Sequence, residues 1–291
     1  MTASHELTLK RLPSTLPMLL KAAVTRKKPG STPSFPSHSL RVDNILNSQS
    51  QLQRYRKTCG FELNSDTLPV TFLHVQAFRL HMKMMLDKQF PVSPMGCVHL
   101  SNRISQLQPV KANTRVQMQC RVAEHQITDK GIEFSFHCEA FADGVKVWED
   151  TSRYLSRCKT GVAAGPKAAR GAARVYGQNK ILAIGRQDAR NYARASGDFN
   201  PIHLHDISAK VLGFKRMVIH GMWSKAACLA ALSGEITSDR YHCDIDFKTP
   251  IFLPTQVQLH FEQVADGLDF ELRDKAGIKP HLIGTIRAIS S

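Results

Sequence analysis

ISQLQPVKANTRVQM, residues 104–118, lies without a gap on IDFKTPIFLPTQVQL, residues 245–259: Pro109 meets Pro250, Thr114 meets Thr255, and Val116-Gln117 meets Val257-Gln258. The offset is 141 residues. Upstream, Phe72-Leu73-His74 matches Val218-Ile219-His220 at an offset of 146, and Tyr55-x-x-x-Cys59-Gly60 matches Tyr192-x-x-x-Ser196-Gly197 at 137. The matches keep their order, so the chain holds one domain-sized unit twice. Its 291 residues suit two such units, each long enough to bury a core.

The drift in offset locates a difference between the copies. Between Gly60 and His74 there are nine fewer residues than between Gly197 and His220, and the missing piece corresponds to Asn200-Pro201-Ile202-His203. Phe61 stands where the second copy has Asp198. A fold common to both copies does not need Asp198, Asn200 or His203, which leaves chemistry as the reason for them.

In the second copy a helix over residues 188–195 is stopped by Ser196-Gly197, and Asn200-Pro201 cannot continue it because a residue before proline avoids the helical region. A short helix follows over 206–212, closed by Gly213, and a third opens near Gly221 and runs to Leu232. Ala226, Ala227, Ala230 and Ala231 on that helix let strands approach closely. Alternating strands are expected over 241–247, 256–264, 268–273 and 281–289. The first copy gives a helix over 75–86, then strands over 97–104, 116–125, 132–141 and 145–155. Helices grouped ahead of strands indicate an α+β fold with an antiparallel sheet. The expected organisation is an N-terminal repeat over residues 1–158, a basic linker KTGVAAGPKAARGAAR over 159–174, and a C-terminal repeat over 175–291.

The net charge of +15 is uneven: residues 1–30 hold six Lys/Arg against one acid, and residues 153–190 hold nine against one. Such local fields suit a polyanionic ligand or an acidic partner protein. No aromatic-interleaved basic motif, helix-turn-helix signature or zinc finger accompanies them, so no nucleic acid is expected. The longest apolar run near the N-terminus, Leu16 to Leu20, ends at Lys21, far short of the roughly 18 to 20 residues of a membrane span. Seven scattered cysteines without a C-x-x-C pair argue against a disulfide framework or zinc ribbon, and a cytoplasmic location is expected.

The run YARASGDFNPIHLHDISAKVLGFKRMVIHGM, residues 192–222, closely resembles the signature of MaoC-like, (R)-specific enoyl-CoA hydratases and the related 3-hydroxyacyl thioester dehydratases. With the duplication, which includes LPVTFLHVQAFRLHMKMMLD at residues 68–87, the resemblance extends over most of the chain and to the two-repeat members of that family. It implies a double hotdog: two repeats, each a long central helix wrapped by an antiparallel β-sheet, with the N-terminal repeat catalytically silent and helping to shape an acyl-CoA site. It also implies a hydro-lyase that hydrates (2E)-enoyl-CoA to (R)-3-hydroxyacyl-CoA or runs in reverse. By that match Asp198 and His203 take the catalytic pair and Gly221 the thioester-carbonyl contact.

The residue types fit the task. Water addition moves one proton off water and one onto the α-carbon, which an acid–base pair straddling one water accomplishes. A turn built by Gly197 and Asn200-Pro201 allows side chains five apart to converge. An enolate-like carbonyl needs a donor, and a backbone N–H where the third helix opens at Gly221 supplies one. Asn200 and Ser196 are supporting residues of the turn, whereas His220 and Tyr192, matched by His74 and Tyr55, read as scaffold. Alone, Asp198 would read as a turn cap and His203 as a packed histidine; which of the two is the base stays open. His203-Leu204-His205 raises a metal site, but residues two apart point away from each other and no third ligand has suitable spacing, so neither metal nor cofactor is expected, and His205 belongs on the exposed face. The expected partner is an acyl-CoA thioester, with acyl carrier protein as the alternative carrier, and the chain is a monomeric pseudo-dimer or a homodimer. The alternatives are a 3-hydroxyacyl-ACP dehydratase and a non-catalytic acyl-binding partner protein.

Overall fold

Two helices with apolar surfaces all round need cover on every side, and a curved sheet supplies it. The computed structural model describes residues 5–28, 33–165 and 174–290; residues 166–173, the middle of the linker expected over 159–174, lie outside them. In chain order the elements are β1 (Glu6–Leu9), α1 (Thr15–Val24), β2 (Ser39–Ile45), α2 (Gln49–Cys59), α3 (Phe72–Met85), β3 (Val98–Gln106), β4 (Val116–Thr128), β5 (Gly131–Ala142) and β6 (Val145–Arg157). The second repeat follows with β7 (Gln178–Ile184), α4 (Arg186–Ser196), a 3₁₀ turn (Pro201–His203), α5 (Asp206–Val211), α6 (Gly221–Ala231), a 3₁₀ turn (Ser233–Glu235), β8 (Tyr241–Phe247), β9 (Thr255–Val264), β10 (Gly267–Arg273) and β11 (Pro280–Ala288).

Among the described residues all eleven strands form one sheet, in the order β1-β2-β4-β5-β6-β3-β8-β11-β10-β9-β7. Helix α3 buries residues on every side, from Phe72 and Leu73 to Met84 and Met85, and α6 does the same from Met222 to Leu229. Of the small residues of α6, Ala226 and Ala227 are buried and Ala230 and Ala231 half-buried. This is the α+β double hotdog. The one sheet differs from a separate sheet per repeat because β3 and β8 pair across the seam, and its β1–β2 edge is parallel because α1 lies in the crossover.

The seam carries the duplication into space. Asn102 faces Ile245 and Ile104 faces Cys243, two pairs that exchange under the offset of 141, with Arg103 opposite Asp244 at the centre. A pseudo-two-fold therefore passes through the Arg103–Asp244 pair. On the helical side α2 packs on α4, and the matched Tyr55 and Tyr192 meet with ring centroids 5.9 Å apart. Both helices end alike: Gly60 and Gly197 take left-handed φ values of 85° and 80°, which glycine adopts without a Cβ penalty.

The copies diverge just after those glycines. The extra residues of the second repeat build the 3₁₀ turn and α5, whereas the first repeat crosses from Phe61 to Thr71 without a helix. Helix α3 begins at Phe72, three residues before the expected Val75, so Val75 is already inside its first turn. Helix α6 begins only at Gly221, with His220 as its cap. None of the helices among the described residues is long and apolar enough to cross a membrane.

Candidate active site

The turn after α4 is held by its own backbone and by the extra residues around it. Ser196 Oγ donates to Tyr192 O at 2.8 Å and accepts from Asp198 N at 3.2 Å. Asp198 Oδ1 accepts the amide of Asn200 at 3.2 Å, Asn200 Oδ1 accepts from Ile202 N at 3.5 Å, and Asn200 O accepts from His203 N at 3.0 Å. Pro201 fits the first position of the 3₁₀ turn, where no amide donor is required. Asp206, at the start of α5, accepts from Met217 N at 2.8 Å and Val218 N donates to Ile202 O at 3.2 Å. The segment leading into α6 is thereby laid beside the turn.

These contacts bring Asp198, His203 and His220 together: one carboxylate oxygen and one ring nitrogen from each histidine lie within 4.8 Å of one another. His203 Nδ1 donates to Val218 O at 2.8 Å, which leaves Nε2 as the unprotonated nitrogen of the neutral ring. His203 Nε2 and Asp198 Oδ2 make no hydrogen bond among the described residues. Burial lowers the His203 pKa below its ordinary 6.5, while the Asp198 carboxylate and the Val218 carbonyl pull it back up.

His220, read from sequence as scaffold, sits in the middle of the group. Its ring stacks on His203 with centroids 3.6 Å apart and planes 24° apart, and its Nε2 donates to Asp198 O at 2.9 Å. Burial, and then the neighbouring His203, push its pKa well below 6.5, and its sealed Nδ1 has no partner among the described residues. The conserved-looking match with His74 hid this placement, because His74 serves a different contact: its Nδ1 meets Asp150 Oδ2 at 2.7 Å in the first repeat's core.

Gly221 opens α6 directly after His220, and among the described residues no side-chain cap bonds to the first amides of that helix, which leaves N–H donors at its start. A Cβ at Gly221 would stand 3.0 Å from the Phe247 ring, so packing against Phe247 favours glycine there. Phe247 in turn packs on His99 at 5.0 Å, and His99 stacks on Tyr154 at 4.5 Å. The first repeat thus reaches the wall of the second repeat's site, a contribution no spacing in the sequence announced. Val75, the counterpart of Gly221, lies within α3, and a cavity of about 250 Å³ on that side is lined by Arg56, Phe61, Glu62, Gln106, Asp239 and Tyr241, with no histidine among its lining residues.

His205 is exposed, as expected, and caps α5 by accepting from Ile207 N at 3.2 Å. The carboxylate and two imidazoles are metal-ligand types, but they involve His220 rather than His205. Near-parallel rings 3.6 Å apart cannot both aim in-plane lone pairs at one ion, and each ring already spends a nitrogen on a backbone carbonyl. The arrangement suits proton movement.

Two hotdog repeats, with a carboxylate and a neutral imidazole converging at the start of the central helix in one of them, make a scaffold with an acid–base pair on one side. Residues 168–281 match the MaoC like domain family. Over 279 residues the chain is 26% identical to 3-hydroxyacyl-thioester dehydratase X of Mycobacterium tuberculosis, covering 95% of this chain and 99% of that protein. The crystal structure of that M. tuberculosis dehydratase superposes with a TM-score of 0.75 at 25% identity, covering 87% of this chain and 100% of the other. A MaoC-like dehydratase from Phytophthora capsici shares the fold at a TM-score of 0.70 and 17% identity, over 87% and 95% of the two chains. Residues 168–281 are thus similar to the MaoC like domain, and the reaction is of the dehydratase/hydratase type.

Proposed function

We propose that the protein interconverts (2E)-enoyl-CoA and (R)-3-hydroxyacyl-CoA, with Asp198 and His203 acting on one water. The observation that carries this reading is the approach of the Asp198 carboxylate to the His203 ring, beside the first amides of α6. In hydration, His203 Nε2 takes a proton from water as the oxygen bonds to the β-carbon. The imidazolium then returns that proton to the α-carbon, so water is added with no net change at the enzyme. Asp198 orients the water and stabilises the imidazolium, consistent with its raising effect on His203. The Gly221 N–H holds the thioester carbonyl as charge develops on it, an interaction of the kind worth about 10²–10³ in rate when removed. His220 fixes the Asp198 carbonyl and the plane of His203. The exposed basic residues give the phosphates of CoA a favourable field.

Purified protein mixed with crotonyl-CoA and with longer enoyl-CoA thioesters is expected to bleach the conjugated enoyl absorbance. Asp198→Asn and His203→Ala should each lower kcat by at least about 10²-fold with the fold intact by circular dichroism. Full turnover in both variants would end the reading. Comparing CoA with carrier-protein thioesters, and resolving the product's configuration, tests the substrate and the (R) assignment.

A further inference from the structure

Helix α1 is apolar on the side it buries and on the side it shows. Met18 and Ala22 pack inward, whereas Leu16, Leu20 and Val24, spaced one turn apart on the other side, are 62%, 65% and 77% exposed. Pro17 and Ala23 are exposed beside them, and Lys21 is the one charged residue of the helix. A surface helix ordinarily turns polar side chains to water. This one does not.

Nor is it a loose tail. Ahead of α1, Arg79 donates to Pro13 O at 2.7 Å and to Leu12 O at 3.3 Å; behind it, Lys27 Nζ donates to the carbonyls of Met85 and Phe90 at 2.9 and 2.8 Å. The helix is pinned at both ends, and Thr15 packs against Gly197, next to Asp198. Exposed Lys10, Arg11, Lys21, Arg26 and Lys28 surround it, and the sequence has no Asp or Glu between Glu6 and Asp43. On α5, which follows the same turn, Ile207 and Val211 are 67% and 81% exposed, accompanied by exposed Lys210, Lys215 and Arg216.

We infer that α1 docks the molecule peripherally on an anionic lipid bilayer. The aliphatic side chains enter the boundary between headgroups and acyl chains while the flanking cations meet lipid phosphates, an association that needs no shape complementarity. Aliphatic residues without an aromatic anchor fit lipid better than a protein partner, whose interfaces favour Tyr, Trp and Phe. At 10 residues α1 lies on the membrane and does not cross it. The inference goes beyond the proposed reaction and is read without turnover.

Sedimentation of the full chain with vesicles of phosphatidylcholine alone, and of phosphatidylcholine mixed with phosphatidylglycerol, tests it. Binding is expected to rise with the anionic lipid and fall with salt. Leu16→Ser/Leu20→Ser/Val24→Ser should weaken it about tenfold or more, with thermal midpoint and turnover of a short, soluble enoyl thioester unchanged. Absence of binding to the anionic vesicles, or equal binding by the triple variant, overturns the inference. So does a dimer that the triple variant dissociates, which would give the face to a second copy, or capture of an acidic carrier protein in place of vesicles.

Discussion

A neutral histidine with one nitrogen committed to a carbonyl moves protons through the other alone. His203 is such a residue, since Val218 O holds Nδ1 and burial disfavours the charged ring. The sign of the pH effect follows. Hydration needs neutral His203, and its pKa lies below 6.5, so kcat/KM should fall on an acidic limb whose midpoint lies below 6.5. Asp198 raises that pKa, so whatever activity Asp198→Asn retains should show the limb displaced further to acid. A pH–rate profile of both proteins checks this; an unchanged limb in the variant would separate the two groups electrostatically. At this scale the sequence was legible where the copies disagree: Asp198 and His203 stood out because Phe61 and a gap occupy their places in the first repeat. It was illegible where the copies agree, since His220 and His74 share a spacing but have different partners.

Among the elements, strands β3 to β6 and β8 to β11 could be read closely from alternation and turn residues, α4 and α5 from their glycine stops, and α6 from its opening at Gly221. The elements that escaped have weaker signals. Helix α2, QSQLQRYRKTC, shows little beyond Leu52 and Tyr55 on its buried face, β7 is a half-exposed edge, and α1 read only as an apolar run too short for a span. The paired helix ends offer a controlled comparison. Gly60→Ala and Gly197→Ala both force a Cβ into left-handed backbone, at about 1–2 kcal/mol each. At Gly60 the new Cβ would meet Ala230 at an ordinary 3.7 Å, while at Gly197 it would stand 2.8 Å from Thr15 Cγ2. Gly197→Ala should therefore lose more stability in urea titration than Gly60→Ala and should also slow turnover, because α1 or the Asp198 turn must move. Equal losses and intact turnover would show that the contact yields freely.

Across the whole molecule the two repeats share a polar seam as well as a sheet. Lys225 of α6 is fully buried, and its Nζ donates to Asn102 Oδ1 at 2.6 Å, Cys243 O at 2.8 Å and Asn102 O at 3.2 Å. Asn102 Nδ2 donates on to Asp150 Oδ2 at 2.7 Å, the carboxylate that also meets His74, so a charge of the second repeat is satisfied through the first. Removing one side of such a set leaves buried charge uncompensated, at about 3–5 kcal/mol. A chain of residues 174–291 alone would strip two of Lys225's three acceptors and bare β8 as an unpaired edge along Tyr241–Phe247. A second copy could pair with that edge about the same axis, but Asp244 would then face Asp244 where Arg103 now stands, and like charges directly opposite destabilise a strand pair. The isolated repeat is thus expected to aggregate or remain unfolded, and supplying residues 1–158 as a separate chain should rescue solubility by restoring Asn102 and Arg103. Size-exclusion chromatography with light scattering decides: a soluble, folded monomer of residues 174–291 would mean that the acid–base site stands without the seam, and that the first repeat is an attachment.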